Sequence, residues 1–320
     1  MNTEKLIDTA RVWSYRTIPT RIRDQRLLHS LQASSLGLEG THKHLSELVR
    51  ADRPALVARP GGIESDVVEF FLSKRFAGRT TAPRKYPHPL TRKASVNAGI
   101  AHQSDTDIDA FAIEYLRNVF DADVMGFGLY ARAALPWAQS HLQQGRMLTY
   151  LHDLEPFRAV SNSVAPWTKA LEGLRVLVVH PFGESIDAQY ARWQSVTGVS
   201  DMLAPFTLSV MRPPVTFAGE GDGHTWAESL MKAQKDMEAY EFDVAIVGAG
   251  SYGLPLAAHA KRLGKVGIHL GGVTQLLFGI SGRRWDGVPP ISDWADSSWV
   301  RARPSEVPLS ANKVEKGAYW

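Results

Sequence analysis

The stretch EFDVAIVGAGSYGLPLAAHAKRLGKVGIHLGGVTQLLFGISGRRWD, residues 241–286, decides the fold of this chain of 320 residues. Its apolar run 244–247 predicts a buried parallel strand that ends in a glycine turn. Residues 254–263 then predict a helix that stops at Gly264, and residues 266–270 predict the next strand. In open α/β sheets, ligands bind at the carboxyl ends of the strands. We therefore expect an α/β fold with a mostly parallel, Rossmann-like sheet flanked by helices, and a ligand site at this edge.

The glycine turn also matches the dinucleotide-binding pattern G-x-G-x-x-G, with glycines at 248, 250 and 253 between a predicted strand and a predicted helix. The acidic residue that would hold a ribose about 20 positions later is missing, because no Asp or Glu lies between Leu254 and Trp285. An NAD- or FAD-dependent enzyme is therefore the less favoured interpretation. Backbone N–H groups at a helix N-terminus still suit a phosphate. A tight turn without any ligand is the plain structural alternative.

The composition is that of an ordinary globular protein, with 44% hydrophobic and 22% charged residues. The chain contains no cysteine, which excludes disulfides, thiolate zinc sites and a cysteine nucleophile and fits a reducing compartment. The first residues contain no apolar signal region, and no run is apolar enough for a membrane span. We therefore expect a cytoplasmic protein, with peripheral contact to the inner face of the membrane as an option.

The net charge of +3 is unevenly distributed, because residues 74–93 carry seven basic side chains and no acid. Such a stretch can meet a diphosphate, an anionic glycan or a membrane surface, and it can equally be a solvated loop. Aromatic residues are not interleaved with it as a stacking platform requires, so we expect no nucleic-acid partner. Residues 1–50 predict a basic helical extension that packs on the main domain, residues 51–320, or makes an oligomer contact.

A second strand–glycine–helix unit lies near the start of the main domain. Residues 55–60 predict a short apolar strand that ends at Gly61 and Gly62, and a helix is expected from about Ile63. Glu64 therefore lies in the first helical turn, at the carboxyl edge of the sheet. An acid at this position can complement the helix dipole. It can equally bind a metal or act as a base.

A third unit spans residues 173–185, where His180 leaves a predicted strand at the same edge. A lone histidine is more often structural, but at this position it is a candidate ligand contact or base. Glu184 and Ser185 stand where a helix cap is expected.

Two acidic patterns have weaker functional signals. Residues 77–104 are expected to form a long loop, and the D-x-D pattern of Asp105 and Asp107 is interpreted as the cap of the helix that follows. A metal-binding D-x-D is the alternative. Glu220, Asp222 and His224 match no metal-ligand spacing.

The order of these units, with the phrases GAGSYGLPLAAHAKRLGK (248–265), IHLGGVTQLLFGISGRRWD (268–286) and VEKGAYW (314–320), resembles bacterial glycosyltransferases of the GT-D fold type and their relatives in polysaccharide gene clusters. The resemblance covers residues 55–320. It implies a Rossmann-like enzyme that transfers a sugar, with inversion, from a nucleotide-diphosphate donor such as a UDP-sugar to a saccharide or glycan acceptor. The expected context is the synthesis of cell-surface polysaccharide or glycoconjugate.

The resemblance, taken together with the positions of residues at the strand ends, gives the expected site residues. Glu64 is the expected catalytic carboxylate, and His180 is the second catalytic candidate. Family members carry a metal-binding D-x-E motif here, whereas the segment Gly62-Ile63-Glu64 keeps only the glutamate, so Mn²⁺ or Mg²⁺ on Glu64 needs ligands from the substrate. A protein that binds nucleotide sugars without catalysis is the alternative. The expected donor-binding residues are Arg59, Gly61, Gly62, Gly248, Gly250, Ser251, Tyr252, Gly253, His269, Gly271, Gly272, Gln275, Arg283, Arg284 and Trp285.

Overall fold

The computed structural model describes residues 20–76, 85–219, 221 and 223–320. Some of the sequence predictions fall outside these residues. They concern the first part of the N-terminal extension (1–19), the centre of the basic stretch (77–84), and Glu220 and Asp222.

The core is a seven-stranded sheet in which every pair of neighbouring strands is parallel. The strand order is β3-β2-β1-β7-β6-β4-β5. Because the strands are parallel, all their carboxyl ends lie at one edge. The predicted α/β class with a Rossmann-like sheet is therefore confirmed. The strands are β1 Ala55–Ala58, β2 Val124–Phe127, β3 Met147–Tyr150, β4 Arg175–Val179, β5 Thr207–Met211, β6 Val244–Val247 and β7 Val266–His269.

Helices cover both faces of the sheet. The α-helices of the described residues are α1 Thr20–Ala33, α2 Gly37–Arg50, α3 Gly62–Phe76, α4 His88–Lys93, α5 Asp105–Asp121, α6 Leu135–Gln143, α7 Pro156–Ser161, α8 Gly183–Tyr190, α9 Val199–Met202, α10 Trp226–Met237, α11 Gly253–Arg262 and α12 Ile291–Trp294. Short 3₁₀ helices follow several strands; among them are Leu129–Ala134, Leu151–Leu154, Gly250–Tyr252 and Gly271–Phe278, after β2, β3, β6 and β7.

The central strands are buried at every position, which is why they read as unbroken apolar runs. Alternate residues serve two separate cores. In β6, Ala245 and Val247 pack with helices α3, α5, α10 and α11 on one face. Val244 and Ile246 pack on the other face with α2, α8 and the segment after β7.

The described helices of the predicted extension pack on the main domain. Leu45 and Leu48 of α2 belong to the second core. Thr41 Oγ1 lies 2.6 Å from Thr149 Oγ1 of β3, and the backbone N–H of Trp167 donates to His42 Nδ1 at 3.1 Å. The described part of the extension, residues 20–50, therefore shares a core with the main domain across the predicted boundary.

The loop predicted over residues 77–104 is partly helical, so that prediction was wrong for its second half. Residues 88–93 form α4, and a π-helical turn, Ala94–Ala98, follows it directly. No residue of α4 is buried, which explains why no apolar periodicity marks it.

The D-x-D acids support the start of α5, as the capping interpretation expected. Ser104 is the N-cap and forms a reciprocal capping box with Asp107. The backbone N–H of Tyr86 donates to Asp105 at 3.3 Å. Both carboxylates therefore have structural partners.

The predicted cap at Glu184 and Ser185 was wrong, because both residues lie inside α8 rather than before it. The buried carboxylate of Glu306, from the segment after α12, accepts the backbone N–H of Glu184 at 2.7 Å. It also accepts hydrogen bonds from the backbone N–H and the hydroxyl of Ser185. A distant acid therefore caps this helix, which a local sequence pattern does not reveal.

None of the helices in the described part of the chain has the length and apolar character needed to cross a bilayer.

Candidate active site

A cavity of about 480 Å³ lies at the carboxyl edge of the sheet, where the turns after β1, β7, β6 and β4 meet. A volume of this size suits a small organic ligand. Thirteen of the predicted site residues line it: Arg59, Gly61, Glu64, His180, Gly248, Gly250, Tyr252, His269, Gly271, Gly272, Gln275, Arg284 and Trp285. Sequence units spread over 227 positions, from Arg59 to Trp285, thus converge on one space.

The turns are in close contact along this edge. Arg59, which follows β1, donates from Nη1 to the carbonyl of Leu270 at 2.9 Å. A β-carbon at Gly248 would lie 2.6 Å from the carbonyl oxygen of Gly271 and 2.8 Å from His180 Cδ2. Only glycine fits there, so the close packing of the turns already requires the first glycine of the G-x-G-x-x-G pattern, whether or not a ligand binds.

Glu64 lies in the first turn of α3, partly exposed to the cavity, and its carboxylate lies against Gly61. Removal from water raises the pKa of Glu64 to about 7, and the charges of Glu315 and Asp66 add to the rise, while the residue's own backbone N–H opposes it. A carboxyl group with this pKa exchanges its proton at neutral pH, which is the property required of a general base or acid.

A cluster of ion pairs around the buried Glu155 fixes Arg59 in the cavity wall. Glu155 Oε1 accepts from Arg59 Nη2 at 2.8 Å and from His152 Nδ1 at 3.2 Å, and its Oε2 accepts from Arg158 Nε at 2.7 Å. Burial raises the pKa of Glu155, but the hydrogen bond from His152 and the charge of Arg59 outweigh burial and leave the pKa below its usual value. Glu155 is therefore an anion that orients both Arg59 and His152.

The two predicted histidines are neutral donors or acceptors rather than cations. Burial lowers the pKa of His180 to about 3, and burial together with the charge of Arg59 lowers that of His269 to about 3. His180 Nδ1 accepts the backbone N–H of Phe182 at 3.1 Å, so this neutral ring carries its proton on Nε2. His180 was predicted to be either a ligand contact or a base, and this geometry favours a hydrogen-bond contact to the ligand.

The glycine turns contribute backbone donors to the cavity wall. Among the described residues, the N–H groups of Ala249, Gly250 and Ser251 after β6 have no acceptor, and neither do those of residues 271–273 after β7. Five of these six residues line the cavity; Ser251 does not. Successive unpaired N–H groups at a turn form a site for an anion.

Four buried side-chain atoms without a hydrogen-bond partner also belong to residues of this wall: Arg59 Nε, His269 Nδ1, Gln275 Oε1 and Trp320 Nε1. Buried polar atoms are almost always paired, so each unpaired one calls for an explanation. Five further unpaired atoms lie elsewhere among the described residues, on His42, Ser65, His141 and His259, so these atoms do not by themselves identify a ligand.

The cavity has two chemically different ends. The charged end, defined by Arg59, Glu64 and His152, follows β1 and β3. The aromatic end, defined by Phe182, Phe217 and Trp320, follows β4 and β5. Trp320 lies between the other two rings, with centroids 6.3 Å from Phe182 and 5.7 Å from Phe217.

Arg284 is a second cation that lines the cavity. The guanidinium of Arg284 lies 4.6 Å from the ring centroid of Tyr319 and forms an ion pair with Glu315. The nearby charge of Glu64 adds to burial in raising the pKa of Tyr130, a cavity residue that follows β2. These contacts place Arg284 and Tyr130 near the charged end.

Four predicted donor-binding residues do not line the cavity. A β-carbon at Gly62 would lie 2.6 Å from the carbonyl oxygen of Tyr130, and one at Gly253 would lie 2.6 Å from His269 Nε2. Ser251 Oγ accepts from Trp226 Nε1 at 3.0 Å. Arg283 is exposed to solvent. Gly62, Gly253 and Ser251 therefore shape the turns around the cavity and do not line it.

The residues present do not by themselves fit a divalent metal at Glu64. In the described part of the chain, no three residues of the types His, Asp and Glu are grouped to hold an ion. A hard cation takes six or more oxygen ligands, and one carboxylate supplies at most two. Metal on Glu64 stays a prediction that depends on oxygen atoms of the substrate.

Sequence reasoning missed Glu155, His152, Tyr130 and Tyr319. Glu155 precedes a proline at the start of a short helix and pairs with a residue 96 positions away, so no local pattern marks it. The aromatic phrase at 319–320 was noted only as part of the family resemblance.

No family model, curated protein or solved structure matched this chain in comparisons with known proteins.

Proposed function

We propose that this protein is a glycosyltransferase that moves a sugar from a nucleotide-diphosphate donor to a saccharide or glycan acceptor. The observation that carries the proposal is the position of Glu64, a carboxyl group with a pKa of about 7, in the same cavity as two turns rich in unpaired backbone N–H groups. One ligand that needs both a base and an anion site is an activated sugar diphosphate.

The diphosphate would bind the turns after β6 and β7. Ala249, Gly250 and residues 271–273 would provide N–H donors there, and Arg59 Nη1 reaches the adjoining carbonyl of Leu270. Arg59 and Arg284 add positive charge at the same wall. Preorganised donors and cations stabilise the charge that accumulates on a leaving diphosphate.

Glu64 would act as the base of a single displacement. An acceptor hydroxyl oxygen forms a bond to the anomeric carbon of the sugar while the bond from that carbon to the diphosphate oxygen breaks. The electron pair of the broken bond leaves with the diphosphate, and the hydroxyl proton passes to the Glu64 carboxylate. Attack opposite to the leaving group inverts the anomeric centre, in agreement with the expectation from the family resemblance.

No step of this proposal passes through a metal ion, because Glu64 lacks partner ligands among the described residues. The charge of the leaving group is instead balanced by Arg59, Arg284 and the backbone N–H groups. A transfer assay in manganese and in EDTA distinguishes this balance of charge from a metal held on Glu64 by substrate oxygens.

The experiment that tests the proposal is a screen of nucleotide sugars for thermal stabilisation and for transfer or hydrolysis, in manganese and in EDTA. A UDP-sugar should raise the melting temperature, and Glu64→Gln should abolish turnover while keeping that stabilisation. A protein that binds nucleotide sugars but turns over none of them would be the second candidate, a binding protein. The lone carboxylate at Glu64 is the observation that favours this candidate.

An NAD- or FAD-dependent enzyme is a weaker candidate. The acidic residue that binds ribose belongs near the end of the strand after the fingerprint. Strand β7 ends at His269 and continues as Leu270-Gly271, none of which is acidic. Stabilisation by NAD but not by UDP would reverse this ranking.

A further inference from the structure

We propose that the donor lies lengthwise along the sheet edge, with its nucleobase in the aromatic end and its sugar at the charged end. This inference rests on the proposed function and deepens it by fixing the direction of the ligand. Neither the composition of the site nor the family resemblance decides between the two directions.

The strand order supplies the axis of the cavity. Along the edge the strands run β1, β7, β6, β4 and β5, so the turns meet the ligand in that order. The contacts follow the same path: Arg59 binds the carbonyl of Leu270, the neighbouring Gly271 touches Gly248, and Gly248 touches His180. The anion-binding turns after β7 and β6 therefore lie between the charged end and the aromatic end.

The diphosphate is also the middle part of a nucleotide sugar, with the sugar on one side and the nucleoside on the other. With the diphosphate at the central turns, each end of the cavity takes one of the two remaining parts. The charged end holds Glu64, the group with a pKa of about 7 in this wall. The reacting anomeric carbon must lie next to the base, so the sugar belongs at this end.

The aromatic end suits a flat, uncharged ring. The ring of His180 lies 4.8 Å from that of Phe182, and Trp320 continues the wall toward Phe217. Pro181, Pro213, Pro214 and Thr216, which adjoin these aromatics in the chain, also line the cavity and carry no charge. Aromatic side chains stack on nucleobases because every base has a π-face.

The aromatic end includes one side-chain N–H donor. His180, which lines the cavity, accepts the backbone N–H of Phe182 on Nδ1 and therefore carries its proton on Nε2. An N–H group needs an acceptor, and the edge of uracil presents two carbonyl oxygens. The chemistry of this end therefore matches the uridine part of a UDP-sugar.

The test compares two aromatic residues at opposite ends of the cavity, with UDP as the probe because it has the base but lacks the sugar. Phe217 is partly exposed and Tyr130 is 59% exposed, so replacement of either leaves the buried core in place. We expect Phe217→Ala to weaken UDP binding by about 10-fold or more, the usual effect of losing a stacking ring. Tyr130→Ala should change UDP affinity by less than about 2-fold and should weaken only UDP-sugar binding.

Photocrosslinking with 4-thiouridine diphosphate, followed by peptide mass spectrometry, reports the position of the base directly. Adducts on the peptides that contain residues 180–182, 213–217 or 320 are the expected result, and excess UDP should compete them away. Adducts on residues 59–64, 130 or 152, or a Phe217→Ala variant that binds UDP normally, would overturn the orientation. Absence of UDP binding to the unaltered protein would instead remove the proposed function.

Discussion

The carboxylate of Glu64 lies against the α-carbon of Gly61, so that a β-carbon at position 61 would overlap Oε2. Gly61 ends the turn after β1, and Glu64 lies in the first turn of the helix that follows. The turn therefore fixes where the carboxylate can lie, and the identity of residue 61 becomes a property of the site rather than of the fold.

Replacement of Gly61 by alanine should displace the carboxylate and reduce activity. The overlapping atoms belong to the end of a flexible side chain, so the fold should survive while the base moves. A misplacement of about 1 Å at a reacting group costs about 100-fold in rate. Gly40→Ala in α2 is the matched control, because the new methyl group meets only Leu36 Cβ at an ordinary 3.5 Å. Normal turnover by Gly61→Ala would show that the position of Glu64 does not matter.

Replacement of Glu64 by glutamine should reduce transfer by about 10²- to 10⁴-fold, the range typical of a lost general base. In the unaltered protein, kcat/KM should rise with pH and level off above the pKa of about 7, where the carboxylate has lost its proton. The measurement is the pH profile of both proteins. Retained transfer in Glu64→Gln combined with loss in His152→Gln would assign the base to His152, which Glu155 orients.

The Glu64→Gln substitution should also change how the free energy of unfolding depends on pH. The pKa of Glu64 is about 7 in the fold, against an ordinary 4.5 in the unfolded chain. As pH rises through this window the unfolded state releases its proton first, so the native protein loses stability between about pH 4.5 and pH 7. Glutamine has no proton to release, so Glu64→Gln should gain on the order of 3 kcal/mol relative to the native protein above pH 7. Urea unfolding at pH 5 and pH 8 measures this, and an equal difference at both values would contradict it.

Replacement of Glu155 by glutamine should loosen Arg59 and weaken donor binding. Loss of one partner of a buried ion pair costs about 3–5 kcal/mol, and the amide of glutamine recovers part of that through hydrogen bonds. The pKa of Glu155 lies below its usual value, so its contribution is present above an unfolded pKa near 4.5 and is lost as pH falls through the lower folded value. The stability difference between Glu155→Gln and the unaltered protein should therefore shrink below about pH 4.5.

The control for that experiment is Glu241→Gln, which removes an exposed partner of Arg175. An exposed pair contributes little, so unfolding of this variant should match the unaltered protein within about 1 kcal/mol at every pH. Equal effects of the two substitutions would show that burial of Glu155 is not what matters.

Replacement of Glu306 by alanine should destabilise the fold by about 1–2 kcal/mol, because the N–H groups of Glu184 and Ser185 lose their capping carboxylate. Thermal unfolding reports the change. Ser305→Ala, one residue earlier and exposed, should leave the melting temperature unchanged. A Glu306→Ala variant as stable as Ser305→Ala would mean that water caps the helix equally well.

The sequence predicts the elements that are determined by local patterns. The units around β1, β4 and β6–β7 each combine a buried apolar run with a glycine or polar turn and a helix start, and in each the structure has the strand and helix in place. Because these strands are parallel, their turns had to meet at one edge, which is why thirteen predicted residues share a cavity.

Contacts between distant parts of the chain were not predictable in this way. The Arg59–Glu155 pair spans 96 positions, and the cap of α8 by Glu306 spans more than 120. Helix α4 was missed because it is short and exposed, with Pro87 before it and Pro89 in its first turn, so it lacks an apolar stripe. Such features depend on the completed fold.

Calorimetric titration of UDP in EDTA tests the central claim most directly, with the unaltered protein and Glu64→Gln compared side by side. The account predicts saturable binding without metal, equal or tighter in Glu64→Gln because a carboxylate near the diphosphate is removed. Absence of binding by UDP and by every other nucleoside diphosphate, in EDTA and in manganese alike, would contradict it.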